Sequence, residues 1–242
     1  MRYLIPAAGM ARRLGDALGG RPKCLIEIGG TSLVRRLLDG LAACGVTDAV
    51  VVTGFGADAV RAAVATPPAG IRVRTVLNER YTEGAILSLA TAREWLDGPV
   101  VVMDADVLCS TAMIRRLVLS HHESAFLLDA SSPNTGEEQM LLVRDGWVRN
   151  IVRGGAPGYE LMGESIGFLK LDAAAARLLR DLLDARIAAG HTGIEHEEVY
   201  PELLARRPIG YERVDGMAWT EIDFPEDVVR AEREVLPRLE TT

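Results

Sequence analysis

The chain is poor in cysteine, in aromatic side chains and in positive charge. Its three cysteines, Cys24, Cys44 and Cys109, are widely spaced, with no Cys-x-x-Cys pair and no histidine at ligand spacing. That argues against a disulfide framework or a cysteine-based zinc site, and the expectation is three reduced thiols in a cytoplasmic protein. Lys and Arg number 27 against 34 Asp and Glu, a formal net charge of -7. A surface of that sign does not favour nucleic acid or a membrane surface as a partner. The first residues, Met-Arg-Tyr, lead into an apolar run too short for a signal peptide or a membrane span. Internal repeats, low-complexity tracts and long linkers are also missing, so the expectation is one domain over 1–242.

What is present is concentrated near the start. Leu4-Ile5-Pro6-Ala7-Ala8-Gly9 is an apolar run that ends in small residues. A strand that delivers such a loop lets backbone approach a ligand with no side chain in the way. Arg13 and Lys23 follow, a planar fork of donors and a compact charge, both suited to a polyphosphate. In an acidic chain, local cations are the informative ones. The Gly-Lys-Ser/Thr of a Walker loop is absent, and Ala11 breaks the spacing of a dinucleotide fingerprint.

Further along, apolar runs and helical periodicity alternate. Strands are expected at 2–6, 48–54, 71–77 and 99–103, and helices from Thr31 or Ser32 to about Gly45, at 58–65 and at 85–95. This is the pattern of a mostly parallel sheet covered on both faces, a Rossmann-like three-layer α/β/α sandwich. From Ser124 the rhythm changes to strands at 125–130, 139–144, 147–152 and 163–171, with Asp145-Gly146 as a tight turn, so a small mixed or antiparallel extension is expected. Asp172 is placed to cap a helix, and 195–205 reads as a helix with an acidic start. A short strand at 209–214, a second acidic strand end at Glu221-Ile222-Asp223 and a final helix after Pro225 complete the chain. The change of rhythm divides the chain into two halves, 1–123 and 124–242, which a family resemblance implies are a nucleotide-binding half and an acceptor-binding half.

Ligands of open α/β sheets gather beyond the carboxyl ends of strands, where both the Ala-Ala-Gly loop and Asp104-Ala105-Asp106 fall. On position alone, Asp104 and Asp106 are equally explained as caps of the next helix. The Ala-Ala-Gly loop, the Arg four residues on and Pro22-Lys23 together resemble the signature of the nucleotidyltransferases, which move a nucleoside monophosphate from an NTP to a phosphorylated acceptor. Thr53-Gly54-Phe55, residues 78–89, Gly163-Glu164-Ser165-Ile166-Gly167 and residues 219–232 share the resemblance. Asp104-Ala105-Asp106-Val107 is similar to the Asp-Gly-Asp run of the choline-phosphate branch, beside the phosphonate and inositol-phosphate cytidylyltransferases.

The resemblance implies Mg²⁺ held by Asp106 and Asp223, with Glu221 and Asp104 in support. It implies that Lys23 neutralises the α-phosphate, that Arg13 grips the β and γ phosphates, and that Ala7, Ala8, Gly9, Met10, Ser88 and Asp104 contact the nucleotide. Ser88 is equally explained as a solvent-facing residue. An acceptor phosphate is mostly ionised at neutral pH, so no catalytic histidine is needed, and His121, His122, His191 and His196 are taken as structural. CTP is the expected donor, and a homodimer is left open. Tyr81, Glu83, Glu164 and Trp219 are the acceptor-side candidates. Aromatics such as Tyr81, Tyr159, Tyr200 and Trp219 suit a quaternary ammonium, and Glu83 or Glu164 an amine. Glu83-Gly84-Ala85 stands where the family has an Asn-Asn run, which leaves phosphocholine, an aminoalkylphosphonate and a cyclitol phosphate open. The alternatives are a sugar-1-phosphate nucleotidyltransferase using UTP, GTP or dTTP, and a non-catalytic nucleotide-binding regulator.

Overall fold

A computed structural model describes residues 1–10, 13–14 and 20–239, so Ala11 lies outside the described residues. β1 (Arg2–Ala7) is the middle of a parallel array. It pairs with β4 (Asp48–Thr53) on one side and β6 (Val100–Met103) on the other, and β5 (Arg72–Leu77) adds to β4.

Alternate side chains of these strands feed two different cores, as the two-residue period of a strand requires. Leu4, Val50, Val52, Val100 and Val102 share one cluster with α3 (Ile86–Thr91), α5 (Ala173–Ala188) and α6 (Tyr200–Arg206). Tyr3, Ile5, Val51, Val101 and Met103 share the other with α1 (Leu33–Ala43), α2 (Ala57–Val64) and α4 (Thr111–Val118). Burial on both faces accounts for the continuous valine runs of β4 and β6. The result is the expected three-layer α/β/α architecture.

The helix signals behave as their chemistry demands. Ser32 Oγ accepts from Arg35 N at the start of α1, and Asp172 Oδ1 accepts from Ala174 N at 2.6 Å and Ala175 N at 3.0 Å at the start of α5. Two expected helices are interrupted. The segment 85–95 becomes α3 followed by a 3₁₀ turn over Arg93–Asp97, and 195–205 becomes a 3₁₀ turn over His196–Val199 followed by α6 with Pro201 in its first turn.

The strands after Ser124 continue the same sheet. β11 (Leu161–Leu171) is its pivot: its last residues pair antiparallel with β6, while its first pair with β9 (Gln139–Arg144). β8 (Ala125–Asp129) also joins β11, β12 (Gly210–Arg213) joins β8 in parallel, and β10 (Trp147–Arg153) closes a hairpin on β9. Asp145 and Gly146 turn that hairpin with φ of 53° and 73°.

Two ribbons were not foreseen from sequence. β2 (Glu27–Ile28) and β3 (Thr31–Ser32) form a hairpin through Gly29 and Gly30. β7 (Val107–Cys109) pairs antiparallel with β13 (Trp219–Glu221), Val107 opposite Glu221. A third apolar cluster, including Ile28, Leu33, Leu108, Ile222 and Val235, seats both ribbons and the C-terminal helices α7 (Pro225–Arg230) and α8 (Leu236–Leu239) on the body. β7 also removes the capping explanation of the two aspartates, since Asp106 runs into a strand and α4 starts after Ser110.

Cys24, Cys44 and Cys109 are free thiols, and burial pushes Cys24 and Cys109 up to about 12, so both stay protonated. Among the described residues no helix is long and apolar enough to cross a membrane.

Candidate active site

A cleft of about 650 Å³ opens past the carboxyl ends of β1 and β6. On one side is the small-residue loop. Ala7 and Ala8 are buried at the end of β1, and Ala8 O accepts from Phe55 N at 3.1 Å. A Cβ on Gly54 would lie 2.8 Å from Ala8 Cβ and 2.7 Å from Tyr81 Cβ, so that glycine lets the loop, the β4 end and Tyr81 close on one another.

Opposite the loop, carboxylates from distant parts of the chain meet one ammonium. Lys23 Nζ donates to Asp106 Oδ2 at 2.6 Å and to Asp223 Oδ1 at 2.5 Å, with Glu221 Oε1 at 3.9 Å. Arg13 Nη1 donates to the other oxygen of Asp223 at 3.0 Å. The β7–β13 ribbon causes this convergence. Val107 faces Glu221 in register, and Ile222 N donates to Asp106 O at 3.1 Å, so the carboxylates on either side of Ile222 are held beside Asp106.

The electrostatics follow from crowding. Burial alone would lower the pKa of Lys23, but Asp106, Glu221 and Asp223 outweigh it and hold the ammonium above its ordinary value. Glu221 is pushed up to about 8 by burial and then by Asp106 and Asp223, with Lys23 acting the other way. Asp104 is raised well above the carboxylate range by burial, then by Glu197, Asp106 and Glu221. Ligand oxygens of Asp106, Glu221 and Asp223 lie within 4.8 Å of one another, and Asp106 Oδ1 is buried with no hydrogen-bond partner. Such a hard oxygen set with an orphaned acceptor fits a small divalent cation.

Asp104 is aimed by Gly167. Asp104 N donates to Gly167 O at 3.1 Å, and Gly167 has φ of 74° with Asp104 Oδ2 only 2.2 Å from where a Cβ would stand. Beyond Asp104 is a second polar cluster. His196 Nε2 is 3.7 Å from Asp104 Oδ1, and His196 Nδ1 is 3.3 Å from Glu197 Oε2. Glu164 lines the same side, accepts from Ser132 Oγ and is pushed up to about 7, chiefly by burial. Among the described residues of the lining, nine carboxylates stand against three cations, Arg13, Lys23 and Arg153.

Of the residues singled out from sequence, Ala7, Ala8, Gly9, Arg13, Lys23, Tyr81, Ser88, Asp104, Asp106, Glu164, Glu221 and Asp223 all line the cleft. Ser88 is buried and its hydroxyl accepts from Asn78 Nδ2 at 3.2 Å, so it is no solvent-facing residue. Met10 is half-buried and outside the lining. Glu83 is also outside, because Arg80 three residues earlier binds both its oxygens, at 2.9 and 2.6 Å. Trp219 is absent as well, its indole donating to Asp129 Oδ2 at 2.8 Å. Tyr200 is a core residue packed edge-on to Phe126, and Tyr159 stacks with Arg144, so neither supplies the aromatic wall considered from sequence. Sequence reasoning missed Glu195, His196, Glu197 and Phe224 in the lining. The signal for the first three was the run of ionisable residues just before an apolar helix.

The model of the MobA-like NTP transferase domain matches residues 3–164. The chain belongs to that family. It is similar to CMP-5'-(3-aminopropyl)phosphonate synthase of Streptomyces rubellomurinus, 33% identical over 126 residues, covering 52% of this chain and 20% of that protein. It is also similar to 2-aminoethylphosphonate cytidylyltransferase of Lancefieldella rimae, 27% identical over 222 residues, 91% of this chain and 87% of that protein. The fold matches the CTP:phosphocholine cytidylyltransferase of Streptococcus pneumoniae with a TM-score of 0.76 at 21% identity, covering 96% of this chain and 97% of that one. This MobA-like chain spans less than half the length of the first curated relatives it matches.

Proposed function

We propose that this chain is a Mg²⁺-dependent cytidylyltransferase, transferring CMP from CTP to a small phosphonate or phosphate acceptor that carries an ammonium group, with release of pyrophosphate. The observation that carries the reading is the meeting of Asp106, Glu221 and Asp223 around Lys23, facing the Ala7–Gly9 loop. In the reaction an acceptor oxygen forms a bond to the α-phosphorus, and the bond from that phosphorus to the bridging oxygen of pyrophosphate breaks. Every participant is an anion, so alignment and charge neutralisation make up most of the barrier.

The chain's own groups meet both needs. Asp106, Asp223 and Glu221 would hold the cation, which when bound neutralises phosphate oxygens and templates the donor. Lys23 offers its ammonium to the α-phosphate, and Arg13, more exposed, to the outer phosphates. The loop backbone at Ala7, Ala8 and Gly9, with Ser88 and Asp104, receives base and ribose. No general base is required of the protein, since the acceptor arrives ionised.

The acceptor assignment rests on the far half of the lining. Glu137, Glu138, Glu164, Glu195 and Glu197 belong to residues 124–242, where Arg153 is the one lining cation among the described residues. Carboxylates without an aromatic cage suit a primary ammonium better than a quaternary one or a neutral cyclitol. The names of the two relatives, both aminoalkylphosphonate enzymes, point the same way.

Pyrophosphate release with CTP, UTP, GTP, dTTP and ATP, each with Mg²⁺ and each of 2-aminoethylphosphonate, phosphocholine, inositol phosphate and glucose 1-phosphate, tests the reading. Fastest release is expected with CTP and the aminoalkylphosphonate. Release confined to glucose 1-phosphate would assign a sugar nucleotidyltransferase, and no release with any pair a nucleotide-binding regulator.

A further inference from the structure

Away from the cleft, the turn between α4 and β8 carries two adjacent histidines beside Glu212 of β12. His121 and His122 have ring centroids 3.9 Å apart, and His121 Nδ1 lies 3.6 Å from Glu212 Oε1 on β12. One ligand atom from each of the three residues falls within 4.8 Å of the others. None of the three lines the cleft, and their turn enters the amino end of β8, whereas the cleft lies past the carboxyl ends of β1 and β6. α4 ends at Val118, and His122 is seated by its neighbours.

The seat is built. Trp147 meets the His122 ring edge-on at 5.6 Å, and a Cβ on Gly210 would stand 2.4 Å from His122 Cγ, so only glycine at 210 admits the imidazole. Glu212 Oε1 accepts from Ser120 Oγ at 2.7 Å, and His122 N donates to the same hydroxyl at 3.1 Å. Lys170 opposes a cation here, but its ammonium is tied to Ser120 O at 3.0 Å. His121 stays 80% exposed, which leaves the site an open entry.

We propose that His121, His122 and Glu212 form a binding site for Zn²⁺, outside the catalytic cleft, that clamps the α4–β8 turn to β12. Two imidazoles and one carboxylate are a borderline-soft set that discriminates against Mg²⁺ and suits Zn²⁺, with a fourth position left for water. Tetrahedral bonds of about 2 Å place ligand atoms roughly 3.3 Å apart; His121 Nδ1 and Glu212 Oε1 stand at 3.6 Å, and the three ligand atoms would close from within 4.8 Å of one another.

The test is a titration of the whole chain with ZnCl₂ after chelator treatment, following histidine side-chain nitrogens by NMR with calorimetry alongside. Because the cleft also offers His196 beside carboxylates, a residue-resolved signal is needed. The ring nitrogens of His121 and His122 are expected to shift at substoichiometric to equimolar Zn²⁺, with at least tenfold weaker binding at that site in His121→Ala and in Glu212→Gln. His121 is exposed, so its substitution leaves the fold intact, and Mg²⁺-supported turnover should be unchanged in that variant. Zn²⁺ signals at His196 alone, or equal affinity in His121→Ala, would overturn the proposal.

Discussion

Asp106 is the residue on which the chemistry is expected to turn. It contributes one oxygen to Lys23 and keeps another buried and unpaired, the arrangement of a ligand waiting for a cation. Asp106→Ala is expected to lower pyrophosphate release by about a thousandfold or more, the scale seen when a group acting in the transition state is removed, with circular dichroism unchanged. Turnover within a few-fold of the parent would take Asp106 out of the mechanism. Glu164 supports a pH argument. Folded, it holds its proton to about 7, whereas in an unfolded chain it would release near ~4.3. Between those values the folded protein binds more protons, so this contribution is intact at low pH and is lost as pH rises through 7. Glu164→Gln should therefore gain stability over the parent between pH 5 and pH 8, on the order of 1 kcal/mol once solvent screening of a half-buried group is allowed for. Denaturant melts at the two pH values measure it, and a gain in the opposite direction contradicts the assignment. Glu83 shows where single-residue reading fails. Its polarity marked it as a ligand, yet an arginine one turn away satisfies it locally, a pairing that composition does not announce.

At the level of elements, the β7–β13 ribbon assembles the carboxylates, and it was illegible in the chain. Three-residue strands have no periodicity to detect, and their pairing is between residues about a hundred positions apart. The parallel core was legible for the converse reason: β4 and β6 are uninterrupted apolar runs, and α1 shows its buried leucines at helical spacing. The strand ends were legible too, but position alone left Asp106 equally explained as a helix cap, and the pairing of Asp106 with Asp223 came from the family resemblance and not from any sign of the ribbon that joins them. Ile222 pins the ribbon to the third apolar cluster and is fully buried between Glu221 and Asp223. Ile222→Ala is expected to cost about 2–5 kcal/mol in chemical denaturation, as truncations of buried aliphatic side chains do. Turnover should fall at least tenfold even where the variant is fully folded, because both flanking carboxylates lose their anchor. Loss of stability with unchanged turnover would separate the ribbon from catalysis.

For the molecule as a whole, the acidic cleft sits in an already acidic protein, and repulsion within it is a standing cost of the folded state. A cation that binds only the folded form offsets that cost. Mg²⁺ at a hundred times its dissociation constant should stabilise by about 2.7 kcal/mol and raise Tm by roughly 5–10 °C for a chain of this size. The shift is expected to vanish in Asp223→Ala. An equal shift in that variant would place the ion elsewhere. The two-faced sheet makes this measurement clean, since its apolar clusters are built without Asp106, Glu221 or Asp223, which stand on and beside the β7–β13 ribbon.

Lys23, bridging Asp106 and Asp223, already occupies the space between two like charges as a tethered counter-ion of the chain's own. On the proposed function, a divalent ion would enter there by exchange rather than by simple addition, and the displaced ammonium would be free for a triphosphate. Loading of the metal and gripping of the nucleotide would then be two halves of one swap, and each ligand would be expected to tighten the hold on the other.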